Sequence, residues 1–337
     1  MEYSSKFWSD KQVILTGGSG FLGSYLVKEL TNHGIKKIIV PRKKEFDLRD
    51  VRAIQRLFTE SGLSIKNKPE NDTNKVKTIV IHLAATVGGI GLNQLQPATL
   101  FYDNLIMGTQ LLHESWRMGV TKFVAVGTVC AYPKYTEVPF QEEKLWEGYP
   151  EETNAPYGLA KKMLLVQSQA YRKQYGFNSI YLLPANLYGP GDNFDPSSSH
   201  VIPSLISKFI NNQFNKTNNE VEIWGTGKAT REFLYVKDAA RGIRMATELY
   251  NDSSPINLGS ETEISIKDLA KLISTLTKFK GELNWDTTKP DGQPRRSLNT
   301  DKAKTYFGFK AATPLKHGLI STIEWYKQKK ISSDNRF

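Results

Sequence analysis

Tyr157-Gly158-Leu159-Ala160-Lys161 sets a phenol and an ammonium four residues apart. On a helix that spacing puts both side chains on one face, a single turn from each other. An ammonium beside a phenol favours the phenolate and draws its pKa from about 10 toward neutral. Such a pair can protonate an alkoxide oxygen, or take the proton back in the reverse direction. Tyr-x-x-x-Lys also arises by chance, and alone it describes a half-buried tyrosine beside a solvated lysine far more often than a reacting pair. Three other residues could join this chemistry. Thr128 offers a hydroxyl just beyond a strand's carboxyl end, where open α/β sheets place ligands. Cys130 is the chain's only cysteine, and a lone cysteine is either a small buried hydrophobe or a reactive thiol. His200 opens Ser199-His200-Val201-Ile202-Pro203, where it can cap a helix or act as an acid or base near neutral pH.

The elements that position these groups begin with a short apolar strand, Val13-Ile14-Leu15, running into Thr16-Gly17-Gly18-Ser19-Gly20-Phe21-Leu22-Gly23. Glycines at 17, 20 and 23, directly after a strand and opening a helix to about Leu30, predict a dinucleotide turn. Glycine lets the backbone turn tightly and approach a pyrophosphate seated on the helix N-terminus. The second strand, Lys37–Val40, is followed by Pro41-Arg42-Lys43-Lys44. With no acid there to hold a ribose 2′-hydroxyl, the loop suits a 2′-phosphate, with Arg42 the first contact and Lys43 the next. This points to NADP(H). Asp47 lies just past that loop, near where an adenine would sit, and a helix to about Phe58 follows.

Residues 60–76 are polar and read as a surface loop. Thr78–Ala85 is a buried parallel strand ending in small residues that let a cofactor approach. Val87–Gly91 is a flexible loop, and the helix after Pro97 carries Asn104. Thr121–Val126 is the next strand; Pro156 starts the helix bearing Tyr157 and Lys161. Ser179–Leu183 leads into an irregular, turn-rich stretch, 184–194. Further on, Trp224-Gly225-Thr226-Gly227 and Arg231 offer an aromatic face and a guanidinium, fit for a base and a diphosphate. Asp238 starts another helix, Ile256–Gly259 is a returning strand, and 265–276 an amphipathic helix. Lys289–Arg296 is a second basic loop with an anion role, and the last helix spans about Leu315 to Lys327. No internal repeat is present.

At 337 residues the chain can bury a large core. No run of about 18 apolar residues occurs, so no membrane span is expected. The stretch Met1–Lys11 is polar and lacks the apolar segment of a signal peptide. A single cysteine permits no internal disulfide and fits a cytoplasmic protein. The net charge of +11 favours an anionic partner. The charges are scattered and no nucleic-acid motif is present, so a phosphate-rich small molecule fits better than nucleic acid.

Alternating strands and helices over the first 185 residues predict an α/β fold, a Rossmann-type doubly wound parallel sheet. Residues 1–185 form the expected NADP-binding domain. Residues 186–330 form a smaller C-terminal α/β substrate-binding region, with elements near 235–258 returning to the first domain. The order of glycine-rich turn, Thr128, Tyr157 and Lys161 resembles the extended short-chain dehydrogenase/reductase superfamily. Within it, Ala-Ala-Thr-Val-Gly-Gly-Ile (84–90), Cys-Ala-Tyr-Pro-Lys (130–134), Asn-Leu-Tyr-Gly-Pro-Gly-Asp-Asn-Phe (186–194), Ser-His-Val-Ile-Pro (199–203), Trp-Gly-Thr-Gly (224–227) and Lys-Pro-Asp-Gly-Gln-Pro-Arg (289–295) resemble the GDP-L-fucose synthase family.

That resemblance implies a reaction in which GDP-4-keto-6-deoxy-D-mannose is inverted at C3 and C5 and reduced at C4 with NADPH. It implies Thr128, Tyr157 and Lys161 for reduction, with Tyr157 the proton donor to O4, and Cys130 with His200 for epimerisation. For the cofactor it implies Gly17, Ser19, Gly20, Phe21, Leu22, Gly23, Arg42, Leu83, Ala84, Ala85, Asn104, Tyr157, Lys161, Pro184, Asn186, Leu187 and His200. For the GDP-sugar it implies Asn186, Val201, Lys208, Trp224, Arg231 and Asp291. Lys208 stands where the family often has arginine, so its contact would be a point charge rather than a fork. Thr128 replaces the usual serine, and Val129 a second serine-like residue beside the sugar. A homodimer through the helix at about 99–118 and the helix of Tyr157 is also implied.

The nearest rival is a sister enzyme acting on another GDP-4-keto sugar, a deoxyhexose or heptose. A 4,6-dehydratase would carry an Asp-Glu pair after Thr128, where Val129-Cys130 stands. A simple C4 epimerase has no use for Cys130 and His200 together. A non-catalytic NADP-binding sensor is the rival of a different class, but such proteins usually lose the Tyr/Lys pair.

Overall fold

The computed structural model describes residues 6–65, 76–215 and 220–334. Of the polar stretch 60–76, residues 66–75 lie outside the described residues. Five strands come first: β1 (Lys11–Thr16), β2 (Lys37–Ile39), β3 (Lys77–His82), β4 (Lys122–Val126) and β5 (Ser179–Pro184). Among them lie α1 (Phe21–Asn32), α2 (Val51–Glu60), α3 (Ile90–Leu95), α4 (Pro97–Arg117) and α5 (Ala155–Tyr175). There follow β6 (Asn186–Tyr188), α6 (Val201–Asn215), β7 (Glu220–Trp224), β8 (Thr230–Tyr235), α7 (Val236–Leu249), β9 (Ile256–Leu258) and β10 (Glu263–Ser265). The chain continues with α8 (Ile266–Thr277), β11 (Glu282–Asp286), α9 (Asp301–Phe307) and α10 (Leu315–Asp334).

The main sheet runs β2-β1-β3-β4-β5-β9, all parallel. Its central strands are buried almost throughout, as the apolar runs of a sheet covered on both faces must be. The winding direction reverses between β1 and β3, so a crevice opens beyond their carboxyl ends. β9 joins this sheet from far along the chain, beside β5. A second core gathers Tyr188, Ile206, Phe209, Phe233, Leu269, Ile273 and Leu319 from β6, α6, β8, α8 and α10. The two cores meet where β5 passes into β6.

Local chemistry sets the helix ends. Asp50 caps α2 by accepting from the Arg52 amide at 2.9 Å. Pro156 sits in the first turn of α5, and Gly176, at φ 63°, ends it in the left-handed conformation. Three expectations need correction. The stretch 184–194 is not wholly irregular, because Asn186–Tyr188 forms β6 and pairs in parallel with β8. β3 stops at His82 rather than Ala85, because the Thr16 hydroxyl, 2.8 Å from His82 Nδ1, takes the Ala84 amide at 3.3 Å. The last helix runs on to Asp334.

One close contact ties this frame to the reactive residues. A Cβ on Gly158 would lie 2.4 Å from the Cys130 carbonyl oxygen, so α5 rests directly on the turn holding the cysteine. Both sides of that contact are backbone and neither can swing away. Gly158→Ala is expected to lower stability by about 1–3 kcal/mol, read as a fall in Tm. An unchanged Tm would show that the turn can move.

Candidate active site

The dinucleotide turn is built as its glycines predict. Gly17 has φ 71°, and a Cβ there would lie 2.8 Å from the Ala84 amide nitrogen. A Cβ on Gly23 would lie 2.1 Å from the Gly17 carbonyl oxygen. Gly20 caps α1 without a side chain, so the first-turn amides face outward toward an anion. This bare cradle fits the pyrophosphate of a dinucleotide. Arg42 and Lys43 line the same cavity. Asp47 is engaged by Arg49, whose Nη2 donates to Oδ2 at 2.6 Å and holds the carboxyl down at about 2. Arg49 also reaches Asp103 at 3.4 Å.

The cavity is about 900 Å³ and runs from this turn across the crevice to the second core. Gly17, Ser19, Gly20, Phe21, Leu22, Gly23, Arg42, Leu83, Ala84, Ala85, Pro184, Asn186 and Leu187 all line it. So do Thr128, Cys130, Tyr157, Lys161, His200, Val201, Lys208, Trp224, Arg231 and Asp291. Asn104 does not. It is buried, and its amide brackets the Thr86 backbone, accepting from the nitrogen at 3.1 Å and donating to the oxygen at 2.8 Å. It shapes the loop after β3.

At the heart of the cavity, β4 ends in Gly127 and Thr128. The Thr128 hydroxyl accepts from the Cys130 amide at 3.2 Å, which starts a single tight turn over Val129–Ala131. Tyr157 is 9% exposed and Lys161 4%. The Tyr181 hydroxyl donates to the Lys161 carbonyl at 2.8 Å and fastens α5 to β5.

The Tyr157 phenol is shifted up rather than down. Burial pushes the phenol well above its usual range, the neighbouring Cys130 adds to this, and the Thr128 hydroxyl opposes it. Burial also pulls Lys161 down to about 8. Tyr157 therefore stays protonated at neutral pH, the form a proton donor needs. Lys161 loses its charge as pH rises through about 8, so the rate of ketone reduction is expected to fall there. A kcat/KM profile rising through that range would contradict this.

His200 is open to water in the cavity yet lies deep among protein atoms. Burial and then the Arg296 cation lower its pKa, which leaves a neutral imidazole able to accept a proton. Arg231 is buried, donating to the carbonyls of Thr230 at 2.7 Å and Asp291 at 3.0 Å. The Asp291 carboxylate takes the Thr226 amide and hydroxyl, each at 2.7 Å, and so braces the Trp224–Gly227 turn. Trp224 stays 45% exposed, with Lys289 5.4 Å from its ring centre. Lys208 donates to the Glu222 carbonyl at 2.7 Å.

Two residues missing from the expected set also line the cavity, Arg296 and Asn154. Arg296 Nη1 is 3.4 Å from Cys130 Sγ, and Asn154 Oδ1 is 3.9 Å from it. Arg296 was visible only as part of a basic loop, and 166 residues separate it from Cys130.

A strand-end hydroxyl, a Tyr/Lys pair and a glycine cradle around one cavity define a nucleotide-dependent α/β enzyme. The chain belongs to the NAD dependent epimerase/dehydratase family, whose model matches residues 13–259. It is 36% identical to a probable GDP-L-fucose synthase 1 of Oryza sativa, over 98% of this chain and 96% of the relative. A GDP-L-fucose synthetase from Naegleria fowleri, solved bound to NADP, has a TM-score of 0.81 at 29% identity, covering 96% of both chains. A GDP-6-OMe-4-keto-L-xylo-heptose reductase from C. jejuni has a TM-score of 0.83 at 29% identity, covering 95% of this chain and 98% of that one.

Proposed function

We propose that this chain converts GDP-4-keto-6-deoxy-D-mannose to GDP-L-fucose as an NADPH-dependent 3,5-epimerase and 4-reductase. The observation that supports this best is that Cys130 and His200 line the same cavity as Tyr157 and Lys161. Reduction alone has no use for the first pair. The GDP-L-fucose synthase relatives support the same reading.

The Gly17–Gly23 cradle and the α1 N-terminus hold the pyrophosphate, and Arg42 with Lys43 holds the 2′-phosphate. NADPH bound there supplies the hydride that C4 receives. The ketone acidifies the hydrogens on C3 and C5, because the enolate spreads its charge onto O4. Cys130 and His200 divide the proton work: one takes the proton from carbon, and the other returns a proton to the opposite face. Tyr157 gives its phenolic proton to O4, and Thr128 offers O4 a hydrogen bond. Lys161 binds the nicotinamide ribose. Trp224 stacks on guanine, Arg231 and Lys208 meet the diphosphate, and Asn186, Val201 and the Asp291-braced turn shape the sugar end.

A second reading has the same residues serving a GDP-4-keto heptose. The likeness to the C. jejuni heptose reductase supports it, and Val129, standing where the resemblance implies a serine-like residue, leaves the choice of sugar open. NADPH oxidation with each sugar separates the two. The first reading expects a kcat/KM at least about tenfold higher for the 6-deoxyhexose; the reverse preference supports the second.

No helix among the described residues is long and apolar enough to cross a membrane. The proposal places the enzyme in the cytoplasm as a homodimer joined through α4 and α5, where Phe101, Tyr102, Val166 and Tyr175 are exposed. Sedimentation at micromolar concentration checks the dimer.

A further inference from the structure

The proposed reaction gives Cys130 a task without explaining what holds its sulfur ready. The sulfur sits in a two-sided clamp. On one side is Arg296, 6% exposed, with Nη1 3.4 Å from Sγ. Its Nε donates to Gln293 Oε1 at 3.0 Å. Gln293 is 1% exposed, and its own amide donates to the carbonyls of Pro133 at 2.9 Å and Lys134 at 3.2 Å. Those carbonyls lie just after the Cys130 turn, so the guanidinium is aimed by the segment that bears the thiol. The next residues of the Arg296 segment are pinned as well, for the Leu298 amide donates to Glu232 Oε2 at 2.6 Å. On the other side, the resting thiol donates to Asn154 Oδ1 at 3.9 Å, a contact made by the S–H form alone, and Asn154 Nδ2 donates to the buried Glu151 at 2.6 Å.

The Arg296 side chain forms no ion pair among the described residues; its remaining hydrogen bond there goes to Asn186 Oδ1 at 3.4 Å. A buried guanidinium without a carboxylate calls for another anion, and the nearest atom that can become one is Cys130 Sγ. We propose that Arg296 is the counter-ion of the Cys130 thiolate, with Gln293 as the positioning residue that holds it in place. This rests on the epimerase reading and adds to it how the thiol is made reactive. The thiolate takes a proton from the carbon beside the ketone: the C–H bond breaks, S–H forms, and the electron pair passes into the enolate on O4; His200, open to water in the cavity, then passes a solvent proton to the opposite face of that carbon, and the electron pair returns from O4.

Cys130 is the only cysteine, so iodoacetamide on the full chain with NADPH present reports on this sulfur alone. Arg296→Met is expected to slow alkylation at neutral pH about tenfold or more, and to slow deuterium entry at C3 and C5 by a similar factor. Arg296→Lys is expected to restore most of both, and Gln293→Leu to give a smaller loss of both. Arg296→Met alkylated at the wild-type rate overturns the proposal, and so does an effect confined to a higher KM, which would mark Arg296 as a contact to the substrate diphosphate. If Arg296→Met does not fold, wild-type alkylation in Gln293→Leu overturns it instead. Wild-type enzyme that admits no deuterium would sink the epimerase reading by itself, while alkylation still judges the clamp.

Discussion

Tyr157→Phe is expected to cut NADPH oxidation on the 4-keto substrate by about 10²- to 10⁴-fold, while deuterium still enters the substrate from heavy water. The variant keeps the ring that packs at the base of the cavity and removes only the hydroxyl. That hydroxyl is a poor acid in the resting site, because burial and the nearby Cys130 both oppose its ionisation. It becomes a useful donor when an alkoxide, a far stronger base, forms on the adjacent carbon. Exchange at C3 and C5 needs only the ketone and the Cys130/His200 pair, so it survives. A loss smaller than about tenfold would mean that the proton reaches O4 by another route, such as water or Lys161.

The converse is expected of Cys130→Ser. The serine hydroxyl is too weakly acidic to replace a thiol in taking protons from carbon, so deuterium entry should fall by about 10²- to 10⁴-fold. Folding should survive, since the side chain is only partly buried and the change conserves its shape. The ketone can still be reduced, and the product would keep the manno configuration at the centres that were not inverted. His200→Gln should produce a loss of the same kind. Its ring, held neutral by burial and by Arg296, is the other group suited to carrying a proton at that end of the cavity. If Cys130→Ser exchanges protons at the wild-type rate, the thiol plays no part in the epimerisation.

What could be read in the chain was local. An apolar strand, a glycine turn and a helix follow one another within a dozen residues, and their geometry leaves a bare anion cradle with little freedom. The Tyr157/Lys161 spacing likewise fixed a shared helix face. The phenol is shifted up rather than down, because burial, which spacing does not reveal, raises Tyr157 and lowers Lys161. Asn104 was expected at the cofactor; its amide is engaged by the Thr86 backbone, a contact that the sequence does not announce. β6 is three residues long and exists through pairing with β8, more than forty residues later, so no pattern in 184–194 announces it. The clamp on Cys130 joins residues 166 positions apart, and only the folded chain brings them together.

The most direct test is to incubate the enzyme with NADPH and GDP-4-keto-6-deoxy-D-mannose in deuterated water and examine the product by NMR. The account predicts GDP-L-fucose with deuterium at both C3 and C5. A reduced product carrying no deuterium at either carbon would contradict it, leaving a reductase in which Cys130 and His200 have no catalytic part.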